Sequence, residues 1–182
     1  QAIVELQKLK PKAVDILLSK HREYFNLRVH DTVVTCHEYV WARLKKRYRG
    51  KTFEFHTFCL LLRYQTLMGI GHQLAMLPLF KDKMKDTFGL NFEILASPLN
   101  AYYDNYCSMF QDTDMLYGSS GSFHLQNFDK GVYIANPPYS LTFLTMLLQK
   151  IFSSVKNAKH KIAFVVGLPD WQNWDDMKVN VL

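Results

Sequence analysis

Apolar positions fall along this chain in two kinds of run. Val132-Tyr133-Ile134-Ala135 and Ile162-Ala163-Phe164-Val165-Val166 are uninterrupted by polar side chains, as expected of strands buried on both faces. Phe92 to Ala96 reads as a third strand. Leu144, Leu147, Leu148 and Ile151 instead recur at helical spacing and predict a helix from Leu141 to Phe152. Leu77 to Phe88 and Ala101 to Phe110 (AYYDNYCSMF) read as further helices. The stretch FHTFCLLLRYQTL, Phe55 to Leu67, suits either a buried strand or a helix. As a strand it would run through Gly69-Ile70-Gly71 into a nucleotide-binding unit, with Gly69 and Gly71 at the cofactor; as a helix, the glycines only punctuate it. Residues 1–49 read as helical, with Ala13, Val14, Leu17 and Leu18 on an apolar face among Lys8, Lys10, Lys12, Lys20 and Arg22. Strands alternating with helices predict an α/β fold, divided into a basic helical segment over 1–52 and a core over 53–182.

The strand Val132 to Ala135 runs into Asn136-Pro137-Pro138-Tyr139-Ser140. Prolines lack a backbone donor and fix φ, so the chain leaves the sheet there in a stiff turn. The turn sits at the carboxyl end of a strand, where open α/β sheets bind ligands. Asn-Pro-Pro is also an ordinary turn, but here it carries a chemical kit. The Asn136 side-chain carbonyl and the backbone carbonyl before the first proline can both accept hydrogen bonds from one exocyclic amine, and Tyr139 can lie against a planar base. An aromatic amine such as adenine N6 is a poor nucleophile because its lone pair is delocalised into the ring. Two acceptors favour a pyramidal nitrogen and aim that lone pair at an electrophile, by positioning and electrostatics without a strong base.

Other turns carry weaker signals. Ser97 is placed to cap a helix with Pro98 at its first position, and the same strand end puts backbone amides and Asn100 where a cofactor can be held. The acids of Asp112-Thr113-Asp114, near Gly118-Ser119-Ser120-Gly121, suit either ribose hydroxyls or a solvated turn. Trp171 and Trp174 follow the last strand, where core packing and stacking on a base or a methylated guanine are both open.

Composition narrows the class. A hydrophobic content of 48% with 14% aromatics excludes a disordered chain. The net charge of +6 and pI near 9.2 suit a polyanionic partner. Within it, Lys45, Lys46, Arg47 and Arg49 read equally as a solvated helix end stopped by Gly50 and as a phosphate-contacting patch. Three separated cysteines, Cys36, Cys59 and Cys107, predict a reducing compartment without disulfides. The seven histidines form no HExxH pattern, so no metal site is expected. No apolar run reaches membrane-spanning length, and the expectation is a nuclear or cytoplasmic protein without membrane contact. A start at Gln1 without methionine and a stop at Leu182 predict a fragment truncated at its C-terminus.

The segments FGLNFEILASPLNAYYDNYCSMFQDTDMLYGSSGSF, ANPPY and IAFVVGLPDW, in that order, resemble the phosphorylated-CTD-interacting-factor family. The Asn-Pro-Pro-aromatic loop by itself is similar to the signature of S-adenosylmethionine-dependent amino-methyltransferases. The family resemblance covers about Phe53 to Trp171. It implies a Rossmann-like methyltransferase core with a helical segment packed on it, S-adenosylmethionine as donor, and capped RNA as partner. The implied acceptor is the adenosine after the 7-methylguanosine cap, preferably 2′-O-methylated, and the implied reaction is N6-methylation. By motif position, Asn136, Pro137, Pro138 and Tyr139 look like the catalytic loop, with Tyr139 on the adenine and Asn136 and the Pro137 carbonyl on its amine. Ala96, Ser97, Pro98 and Asn100 look like a cofactor segment that Asn136 joins. Pro169 and Trp171 belong to a turn similar to the family's Pro-acidic-Trp turn and are expected at the substrate, with Arg47 and Arg49 added from their charge. The family more often has phenylalanine at the place of Tyr139; tyrosine keeps the stacking face. The WW module of animal members is not visible, so recruitment to polymerase is not implied, and a protein partner or further C-terminal sequence is expected to complete the domain. A DNA adenine methyltransferase and a non-catalytic RNA-binding or partner subunit are the alternatives.

Overall fold

Strands, rather than the expected helix, open the described part of the chain. The computed structural model describes residues 15–67 and 75–168. Strands β1 (Leu17–His21), β2 (Tyr24–Val29) and β3 (Thr32–His37) form an antiparallel sheet in that order. Leu17 lies opposite Arg28, and Tyr24 opposite His37. Leu27 and Val29 on β2, and Val34 and Cys36 on β3, are buried at every second position, which is strand periodicity and overrides the helical spacing. Arg22 and His30, each the first residue of a two-residue turn, have φ of 52° and 50°, the handedness that tight hairpins require.

Residue contacts divide the chain into two compact units, one of residues 1–74, 98–100 and 110–119, the other of 75–97, 101–109 and 120–182. In the first, helices α1 (Glu38–Arg47) and α2 (Phe53–Leu67) share a core with the antiparallel sheet, through Leu27, Val34, Trp41, Leu44, Phe58 and Leu60 among others. The ambiguous stretch is therefore helical, and its strand–Gly-x-Gly reading falls; Gly69 and Gly71 lie outside the described residues. The helix α1 ends at Arg47 with Tyr48 as its cap, before Gly50 is reached. Arg63 of α2 pairs with Asp112 at 2.5 Å, and the Tyr64 hydroxyl donates to Asp114 at 2.6 Å. Asp112 and Asp114 belong to the short helix α4 (Gln111–Asp114), and Asp114 is fully buried. Its carboxylate is thus neither a solvated turn acid nor open to a ribose.

His56 on α2 brings a pH dependence to this unit. The Tyr48 hydroxyl lies 2.6 Å from its Nδ1 and accepts from the Thr52 amide at 3.0 Å. Burial holds the imidazole below its ordinary value of 6.5, opposed by a backbone hydrogen bond to Thr52. The unfolded chain therefore takes up the proton first. Stability is full above about pH 6.5 and declines as pH falls below it. Urea melts at pH 7.5 and 5.5 should show that loss, and His56→Gln should reduce it; an unchanged pH slope in the variant places its source elsewhere.

The second unit holds four parallel strands in the order β5-β4-β6-β7. They are β4 (Phe92–Glu93), β5 (Asn105–Tyr106), β6 (Gly131–Ala135) and β7 (Ile162–Val166). Helices α3 (Pro78–Phe88) and α5 (Leu141–Asn157) stand where the periodicity placed them. The pairing of β6 with β7 sets Tyr133 opposite Phe164 and Ala135 opposite Val166. On one face Ala135 packs with Ile94, Cys107, Leu147 and Ile151; on the other Ile134 packs with Leu90 and Tyr103, against Met76 and Val165. Both faces are covered at the carboxyl end of β6, where Ile134 and Ala135 are buried; β7 is only half-buried, with Ala163 exposed, so its apolar run does not mark burial on both faces. Each fully buried leucine of α5, Leu144 and Leu147, contributes about 1.5–3 kcal/mol by burial.

The expected helix Ala101 to Phe110 does not form. Residues 98–100 turn instead, Ala101 N–H donating to the Ser97 carbonyl at 2.9 Å, so Ser97 caps no helix. The Glu93 carboxylate takes the amides of Tyr102 and Tyr103, and the Cys107 amide pairs with the Glu93 carbonyl at 2.8 Å. With those donors held from β4, the segment runs as the neighbouring strand. Among the described residues, no helix is long and apolar enough to cross a membrane.

Candidate functional site

The strand order defines the site. From β4 the chain passes to β5 on one side, then returns to lay β6 and β7 on the other. The direction of winding reverses between β4 and β6, and in open α/β sheets the ligand crevice lies outside the carboxyl ends of such a pair. Two loops leave there: Ile94 to Ser97 after β4, and Asn136 to Ser140 after β6.

The second loop is built as its prolines dictate. The Gly167 amide donates to the Ala135 carbonyl at 2.9 Å, extending the β6–β7 ladder to the last strand residue before Asn136. Pro137 is buried and Pro138 exposed; the Ser140 amide closes on the Pro138 carbonyl at 2.9 Å, and α5 starts at Leu141. Asn136 is half-buried, yet its side chain makes no hydrogen bond to another described residue. A carboxamide held in that state offers its acceptor and donors to a ligand. The ring of Tyr139 is 56% exposed beside it in the chain, enough to receive a planar group.

Beneath the β4 loop lies a buried ion pair. Lys81 Nζ and Glu93 Oε2 are 2.6 Å apart, with side chains 3% and 7% exposed. The other Glu93 oxygen holds the Tyr102 and Tyr103 amides, and the Tyr103 hydroxyl donates to the Lys81 carbonyl at 2.6 Å. Burial pushes the Cys107 thiol up to about 12, so it remains protonated and no nucleophile.

Of the residues expected from sequence, this unit contains Ala96, Ser97, Asn136, Pro137, Pro138 and Tyr139, all beyond the carboxyl ends of β4 and β6. Pro98, Asn100, Arg47 and Arg49 belong to the other unit. There, Lys45, Lys46 and Arg47 form the basic last turn of α1, favourable to the helix dipole, while the Arg49 amide donates to the Leu116 carbonyl at 2.9 Å. Pro169, Trp171 and Trp174 lie outside the described residues. Sequence reasoning missed Glu93, Lys81 and Gly167. An acid inside the apolar run FEILA was the available signal for the first; neither Lys81 nor Gly167 had one.

A family model described as the phosphorylated CTD interacting factor 1 WW domain matches residues 38–181. The described residues of that stretch form the helices and the parallel sheet. The mouse protein named mRNA (2'-O-methyladenosine-N(6)-)-methyltransferase is 32% identical over 121 residues, which is 63% of this chain and 17% of the mouse protein. The human protein of the same name matches with the same identity over the same shares. The chain thus spans 17% of the length of these relatives.

Proposed function

We propose that this chain, a member of the phosphorylated CTD interacting factor 1 family, carries the adenine-binding loop of an S-adenosylmethionine-dependent methyltransferase. Its acceptor is adenine N6 of the (2′-O-methyl)adenosine beside an mRNA cap. The observation that carries this reading is the half-buried Asn136 carboxamide, without a partner among the described residues, on a Pro-Pro loop at the switch point between β4 and β6. The names of the mouse and human relatives support the RNA acceptor. The parallel sheet is read as part of a Rossmann-like core.

Ala96 and Ser97, beyond the carboxyl end of β4, are read as the donor side of the site, and the β6 loop as the source of acceptors for the substrate amine. When bound, S-adenosylmethionine supplies an electrophilic methyl group. Asn136 Oδ1 and the Pro137 carbonyl accept the two amine hydrogens, which localises the lone pair on nitrogen. Tyr139 stacks on the ring and limits its rotation. Neither group takes a full charge, so the contribution is orientation and fixed dipoles. A terminal nucleotide needs no extraction from a duplex, so little unstacking opposes binding.

The test is methyl transfer from labelled donor to RNAs beginning with cap–adenosine, to the same RNAs without a cap, and to adenine-containing duplex DNA. Label on capped RNA is the expected result. Label on DNA assigns the chain to a DNA adenine methyltransferase. With no label anywhere, absence of donor binding by calorimetry would overturn the enzymatic reading in favour of a binding subunit.

A further inference from the structure

Gly167 is a glycine without a conformational reason. Its φ lies outside the left-handed region, unlike those of Gly89, Gly118 and Gly131, so its backbone suits any residue. What an alanine would meet there is side chains. A Cβ at Gly167 would stand 3.2 Å from Asn136 Oδ1 and 2.5 Å from Met76 Cε.

The ladder explains why these atoms meet. Ile134 lies opposite Val165, and both pack on the face that includes Met76. Side chains alternate along a strand, so the residues two further on, Asn136 and Gly167, continue that face as the next cross-strand neighbours. The Gly167 amide is already bound to Ala135 one rung below, which fixes the backbone separation. In this rung one partner is a carboxamide and the other has no side chain.

We infer that Gly167 is a positioning residue for Asn136, its missing side chain reserving the space in which the carboxamide takes its orientation. The inference rests on the reading of Asn136 as the amine acceptor. A methyl at Gly167 displaces two neighbours differently. Met76 is flexible and ends in the contacting atom, so it can swing away. Asn136 is tethered between the ladder and two prolines, so the adjustment falls on its carboxamide torsion, the quantity that aims Oδ1. Small misplacements of an orienting group lower rate more than affinity.

The experiment is Gly167→Ala in the full chain, alone and with Met76→Ala to remove the closer clash. Side-chain amide NMR of the ¹⁵N-labelled protein, with the Asn136 signals assigned by their loss in Asn136→Ala, reads the carboxamide directly. Those signals should move in both Gly167→Ala proteins; unmoved signals overturn the inference. In methyl transfer, kcat should fall by roughly 10-fold with KM unchanged. Gly167→Ala should then have no further effect on Asn136→Ala, because the two act through one group. Fully additive losses overturn the inference. Normal turnover by Asn136→Ala alone defeats the acceptor role of Asn136, while the NMR arm still decides whether Gly167 sets its orientation.

Discussion

Asn136→Ala is expected to lower methyl transfer by about 10²–10³-fold, the loss seen when one preorganised polar group at a reacting centre is deleted. The half-buried carboxamide bonds to no described residue, so removing it breaks no hydrogen bond among them and the melting temperature should hardly change. On the proposed mechanism the effect belongs to kcat, because two acceptors and a stacked ring would bind the amine while it becomes pyramidal only as it reacts. Single-turnover kinetics on capped RNA separate the two quantities. A folded Asn136→Ala protein with near-normal turnover would remove Asn136 from the mechanism. A loss confined to KM would make it a binding contact only.

Glu93→Ala should destabilise the parallel unit by about 3–5 kcal/mol. The pair it breaks is shielded from water, with Lys81 2% and Glu93 5% exposed. Alanine leaves an ammonium buried without its counter-charge and leaves the Tyr102 and Tyr103 amides without their acceptor. Each loss is larger than that of a surface ion pair, because desolvation is not returned. Glu93→Gln keeps an acceptor for the amides and should fall between wild type and Glu93→Ala. Denaturant unfolding measures both. A cost below about 1 kcal/mol for Glu93→Ala would mean that water reaches the pair in solution.

How much of this was legible before folding depended on the range of the deciding contact. The strands β6 and β7, the helix α5 and the Asn136 loop are written locally, as continuous apolar runs, a helical repeat and two prolines. The hairpins of the first unit were not, because Arg22-Glu23 and His30-Asp31 lack the glycine or asparagine that usually marks such turns. Residues 101–110 read as a helix because the group that prevents it, Glu93, acts from nine and ten positions away through Tyr102 and Tyr103. At the candidate site, Asn136 and Tyr139 are proposed from the chemistry of their types. Gly167 is not, since its role exists only once β7 lies beside β6. The phosphate patch expected at Arg47 and Arg49 rested on charge alone, which cannot distinguish a helix terminus from a ligand site.

The two units are interleaved along the chain, and that has a consequence for synthesis. The first unit takes residues 110–119 into its own structure, and Thr57 meets Tyr117 across 60 positions at 2.9 Å. A ribosome delivering the chain from its N-terminus has therefore made β4 and β5 before it can finish the unit that comes first. Until the Asp112–Tyr117 stretch emerges, Arg63, Tyr64 and Thr57 of α2 lack the contacts they make with it. A break placed anywhere between Ala75 and Asp112 yields not one intact unit and one damaged one, but two that each lack a piece.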